Sequence, residues 1–100
     1  MGREAGRVFS GEDGIHKLES LVHQLPANSH VLVLLRDGSS CEGVVSVRPS
    51  VQVFRDHDDR EGINAIVKLE RPDVPGWSQR IWLDQVLRVE HLDSGMASEN

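Results

Sequence analysis

A chain of 100 residues, 38% of them hydrophobic, has room for one domain and one modest core, burying roughly 60 to 70% of its unfolded surface. Its net charge of −5 excludes polyanion binding driven by overall charge, so any RNA contact requires a local basic patch. No apolar run approaches the roughly 18 residues of a membrane helix, and residues 1–10 lack the apolar centre of a secretion signal. A lone cysteine, Cys41, excludes a disulfide within the chain, so the expectation is a cytoplasmic protein with no membrane partner.

Residues 1–12 carry Gly2, Gly6 and Gly11 among alternating charges, with no periodicity, and read as a flexible arm. Residues 13–25 place Ile15, Leu18, Leu21, Val22 and Leu25 on one helical stripe. Ser10 or Asp13 supplies a cap, and Pro26 closes the helix by restricting Leu25. One apolar stripe needs a platform, and the strands that follow provide it.

Residues 30–54 read as a hairpin. The run Val31 to Leu35 is apolar on both of its faces, so both should be covered. Asp37-Gly38 turns the chain. The returning strand alternates Cys41, Gly43, Val45 and Val47 inward with Glu42, Val44, Ser46 and Arg48 outward, and continues, bent, towards Phe54. Gly43 within it marks a bend or close approach. A charged turn over residues 55–62 leads to a third strand at 64–70, ended by Pro72, Pro75 and Gly76. A fourth strand at 78–83 is joined by Asp84-Gln85 to a fifth at 86–92, with Leu87, Val89 and His91 opposed to Arg88 and Glu90. Residues 93–100 form a polar, flexible tail. Only four aromatics occur (Phe9, Phe54, Trp77, Trp82), so the core is built from Val, Leu and Ile, which favours strands. The fold class is therefore α+β and mainly β: an N-terminal helix on a five-stranded, strongly bent antiparallel barrel spanning residues 13–92.

The helix, the segment VLVLLRDGSSCEGVVSV with Asp37-Gly38, Gly43 and Val45, and the final pair WLDQVLRVEHL together resemble the Sm-like family of small barrels, which includes the Lsm and Hfq proteins. SH3-type barrels share the hydrophobic pattern. The chain looks most similar to a small bacterial group described as a variant of the Sm-like motif, for which the resemblance implies the fold. Sm-like subunits pair through their fourth and fifth strands. In the RNA-binding members an Asp follows the strand-two glycine by six positions and an Asn by ten; here those positions hold Pro49 and Val53. The family's second motif, an Arg-Gly or Lys-His pair, aligns with Asp84 and Gln85, and an Asp there repels phosphate.

No catalytic constellation stands out. Cys41 lies in a strand with no Gly-rich nucleophile turn, and reads as a small buried hydrophobe. Asp56, His57, Asp58, Asp59 and Glu61 crowd one loop without the ligand spacing of a calcium loop, and read as a solvated turn. His16 and His23, seven residues apart, share a helix face but stand two turns apart, too far for one metal. Neither a cofactor nor a metal is expected. Two binding functions remain. Trp77 and Trp82, which flank the fourth strand with Arg80 between them, and Arg88 on the fifth mark an interface for self-association, a dimer before a ring, or for another protein. The alternative is an atypical RNA surface built on Arg48, Arg55 and Lys68, with Arg71, Arg80 and Arg88 nearby, although acids interleave with these cations.

Overall fold

The computed structural model describes residues 3–4 and 8–92. Two short stretches of chain precede the main body. Strand β1 (Arg3–Glu4) runs parallel to a later strand, and helix α1 (Gly11–His23) follows it. The helix starts two residues before Asp13, and Ser10 occupies the N-cap position with extended backbone but without a side-chain cap bond. Glu12 and Asp13 in the first turn complement the positive end of the helix dipole. Of the predicted stripe, Leu18, Leu21, Val22 and Leu25 are buried, whereas Ile15, one turn nearer the start, is 37% exposed.

Seven further strands carry the fold: β2 (His30–Leu35), β3 (Ser40–Val47), β4 (Gln52–Arg55), β5 (Glu61–Asn64), β6 (Ile66–Glu70), β7 (Ser78–Trp82) and β8 (Val86–His91). A 3-10 turn, Leu83–Gln85, joins the last two. Five strands make one antiparallel sheet in the order β7-β6-β3-β2-β8, and β1-β4-β5 make a second. The strands read from the sequence correspond to β2, β3 with β4, β6, β7 and β8; the second is broken in two, and β5 falls mostly in the stretch read as a charged turn at 55–62. Buried Pro49 lies in the break between β3 and β4, where it has no N–H to donate to a ladder. The matching break falls at Ala65, and the detached halves β4 and β5 pair with each other and with β1.

The closed barrel expected from the sequence is corrected here. Among the described residues no ladder joins β7 to β8, so the five-stranded sheet keeps two open edges. Closure would require the bent strands to stay in one sheet around the whole circumference, and the breaks divert β4 and β5 into another.

The helix fits against the concave side. Leu18, Leu21, Val22 and Leu25 share one cluster with Val31, Val33, Val45, Val67, Leu69, Ile81, Leu83 and Val86. Complete burial of a Leu or Val contributes about 1.5 to 3 kcal/mol, so this single cluster carries the fold. On β2 the inward Val31 and Val33 are fully buried, while the outward Leu32 and Leu34 are only half covered.

One inward assignment and one expected alternation are also corrected. Val47 is 69% exposed, because the register of β3 against β6 shifts between Val45 and Val47. Leu87 is 56% exposed, because β8 shifts against β2 between Leu34 and Leu35, bringing Val86 inward instead. An extra residue in one strand inverts the alternation beyond it. Gly43 is required for close approach: a Cβ there would lie 2.9 Å from the Leu69 Cβ and 3.1 Å from the Glu70 carbonyl oxygen.

The N-terminal stretch is held where it is described. Phe9 exchanges backbone hydrogen bonds with Ile63 at 2.7 and 3.0 Å. Gly62 admits this contact, since a Cβ there would sit 2.6 Å from the Phe9 carbonyl oxygen. The tail predicted at residues 93–100 lies outside the described residues.

Candidate interaction surface

The two open edges, β7 and β8, are where the sequence places its interface candidates. Arg80 is exposed at the middle of β7 and forms no ion pair among the described residues. It lies across from Lys68, and the half-buried Trp82 lies across from Ile66. The Trp82 ring meets Phe54 edge-on at 4.9 Å, linking the two sheets. Trp77 takes a different position. It packs against the core beside Gly43, and the Arg71 guanidinium stacks over its ring at 4.1 Å. Trp77 therefore does not stand with Arg80 and Trp82 as one anchor. On the opposite edge, Arg88 is exposed and bonds Glu90 at 2.7 Å.

The cations considered for RNA are only partly gathered. Arg48 and Lys68 line a small groove of about 200 Å³ together with Phe54 and Ile66. Arg55 stands apart, held by Asp59 at 3.0 Å and Glu61 at 3.2 Å. Lys68 has Glu70 at 3.6 Å, whereas Arg48 has no acidic partner among the described residues. Local acids thus neutralise two of the three.

The acidic loop is a self-bonded turn. Asp56 accepts the backbone N–H groups of Asp58 and Arg60, each at 2.9 Å, and its own N–H donates to the Arg60 carbonyl. Asp59 adopts φ 63° there, a conformation that Asp tolerates better than most residues. Among the described residues no group of three His, Cys, Asp or Glu side chains is arranged to hold a metal ion. Cys41 packs against the core, and partial burial raises its thiol pKa, making it a weaker nucleophile at neutral pH.

One polar constellation escaped sequence reasoning. Asp84, 5% exposed in the 3-10 turn, accepts from the fully buried Asn64 amide at 2.8 Å and from Gln85 at 2.6 Å. Asn64 in turn accepts the Ala65 N–H at 2.8 Å, and Arg36 donates to the Asp84 carbonyl at 2.9 Å. The joint between β7 and β8 is a closed, acid-centred knot.

A domain family, described as domain of unknown function DUF3247, matches residues 2–92. The chain belongs to this family. The crystal structure of XC5848 from Xanthomonas campestris, described as adopting a novel variant of the Sm-like motif, superimposes with a TM-score of 0.83. The two are 34% identical, and the match covers 90% of this chain and 97% of that one. No curated protein matches the chain. The Sm-like resemblance read from the hairpin and the final strand pair is therefore established, as a DUF3247 variant whose sheet stays open. Among the described residues no helix is long and apolar enough to cross a membrane.

Proposed function

We propose that the protein is a non-catalytic interaction module of the cytoplasm that forms a dimer through the open edge of β8. The observation that carries this reading is the pair of unpaired edges on the five-stranded sheet. An open edge offers a row of free backbone donors and acceptors to another strand. Pairing like with like closes at two copies, whereas pairing β7 with β8 propagates into rings or filaments.

Charge favours β8 for the like-with-like contact. With Val89 opposite Val89 of a second copy, antiparallel pairing sets each Arg88 across from Glu90 of the other chain. The same arrangement centred on β7 opposes Arg80 to Arg80, which is destabilising. Arg80 and Trp82 then remain available on the far edge for a different protein. The raised thiol pKa of Cys41 also supports binding rather than nucleophilic chemistry.

Light scattering across a concentration and salt series tests the reading. The expected mass is that of a dimer. Arg88→Glu weakens it, and the swap Arg88→Glu with Glu90→Arg restores it. A monomer at all concentrations, a ring, or a dimer indifferent to both variants refutes it.

A second reading, an atypical RNA surface, is favoured by Arg48, which shares a groove with Lys68 and carries no acidic partner among the described residues. It requires a fluorescent U-rich or A-rich oligonucleotide to change anisotropy at low salt and to lose binding steeply as salt rises. No anisotropy change at low salt ends it.

A further inference from the structure

A separate concavity lies beside the helix and reaches the β8 edge only at His91. It is an open groove of about 760 Å³ between the second half of α1, the corner joining β3 to β4, and the end of β8. Val22 and Val51 give it apolar surface. Its ionisable lining is unusual for so acidic a chain: Arg48, three of the five histidines (His16, His23, His91), and one acid, Glu19.

From this lining we infer that the groove binds a small organic anion, a carboxylate or phosphate head carried on an apolar body. The donors are uncommitted. Arg48, His16 and His23 make no hydrogen bond or ion pair with a described residue. A guanidinium matches the geometry of either head group, and an imidazole N–H adds a further donor. The negative end of the helix dipole, which would repel an anion here, is moderated. The His91 Nε2–H donates to the Gln24 carbonyl at the helix end, at 2.6 Å. The volume falls in the range of small-molecule sites, and Val22 and Val51 provide apolar surface beside the polar groups. Glu19 is the one group that opposes an anion, so it sets the sign of a diagnostic substitution.

Neither Arg88 nor Arg80 lines the groove, and its only residue from the proposed dimer edge is His91, at the end of β8. The test is titration of the full chain with phenyl phosphate, phenylacetate and inorganic phosphate, followed by amide chemical shifts. One of the aromatic anions, at millimolar concentration, is expected to shift amides of residues 16–24, 48–51 and 91. The aromatic anion that binds identifies the head group. Inorganic phosphate should bind at least about tenfold more weakly, since it lacks the body that covers Val22 and Val51. Arg48→Gln should weaken binding about tenfold or more by removing a charge-assisted bond. Glu19→Gln should tighten it several-fold. Both positions are exposed, so both variants keep the fold. Shifts from neither aromatic anion overturn the inference. So do affinities indifferent to both substitutions, or inorganic phosphate binding as tightly as the better aromatic anion. Shifts of residues 16–24 and 48–51 that appear on changing protein concentration alone assign the face to contact between copies and overturn it as well.

Discussion

Replacing Gly43 by alanine tests the packing argument at its tightest point. The added Cβ would lie 2.9 Å from the Leu69 Cβ and 3.1 Å from the Glu70 carbonyl oxygen, where comfortable carbon contacts are about 3.5 to 4.0 Å. Leu69 is fully buried and paired with Val45, so neither contact can rotate away. Overpacking of this kind costs about 1 to 3 kcal/mol. Against that, alanine restricts the unfolded chain and returns about 0.4 to 1 kcal/mol. Taking the middle of each range, the net loss is about 1.3 kcal/mol, equivalent to a fall in Tm of about 5 to 10 °C for a domain of this size. The obstacle is Leu69 Cβ and backbone. Trimming Leu69 to alanine, or removing the Trp77 ring at 3.5 Å, therefore gives no rescue in the double variants. Urea denaturation followed by tryptophan fluorescence measures all four proteins. An unchanged or higher midpoint for Gly43→Ala, or recovery with Trp77→Ala, would refute the reasoning.

Three further outcomes follow from groups whose partners are known. Asp84→Ala leaves the fully buried Asn64 amide without its 2.8 Å acceptor and should cost about 1 to 3 kcal/mol, read as a lower urea midpoint; Asp84→Asn, which retains an acceptor, should cost less. The Cys41 thiol is raised by burial, with Arg71 and Glu42 acting in opposite directions, so alkylation by iodoacetamide should be slower in the folded than in the urea-unfolded chain, with its pH midpoint displaced upward; equal rates would count against the placement. Asp37 is held below the ordinary carboxylate range because its side chain accepts the Ser39 hydroxyl and then the Ser39 N–H. Its contribution to stability is present above the unfolded carboxylate pKa and is lost as pH falls through the lower folded value. Asp37→Asn should flatten that acid limb of a pH series of urea midpoints.

The sequence was most informative where a local period met no irregularity. Leu18, Leu21, Val22 and Leu25 recur at helical spacing and all reach the core; Ile15 fits the same period but lies exposed near the start of the helix. Asp37-Gly38 turns as read, with Gly38 at φ 92°. The alternation along β3 is correct through Val45 and fails at Val47, where the register shifts. The failure at Leu87 has the same cause. A bulge leaves no mark in a pattern of period two, so these errors were not recoverable from composition or spacing. Pro49 did carry a signal for the broken strand, since proline removes a ladder donor, but the apolar residues beyond it gave the appearance of continuity. The Asn64–Asp84 bond joins residues 20 apart in sequence, and the groove joins one helix face to a corner and a distant strand end. Topology alone creates both.

The break at Pro49 connects these features causally. A continuous second strand would carry the third strand with it around one barrel; the break instead lets β4 and β5 form a separate sheet, tied back through the Phe54–Trp82 contact. Two consequences follow from that geometry. The five-stranded sheet retains the free edges on which self-association depends, and the chain between β3 and β4 is directed towards α1, placing Arg48 and Val51 across from the helical histidines. The edges and the groove share His91, at the end of β8, but neither Arg88 nor Arg48. A substitution at Arg88 should therefore change the mass without changing anion binding, and a substitution at Arg48 should do the reverse. Coupling between the two would mean that the corner and the sheet edges move as one element, a property that additivity at separated sites does not produce.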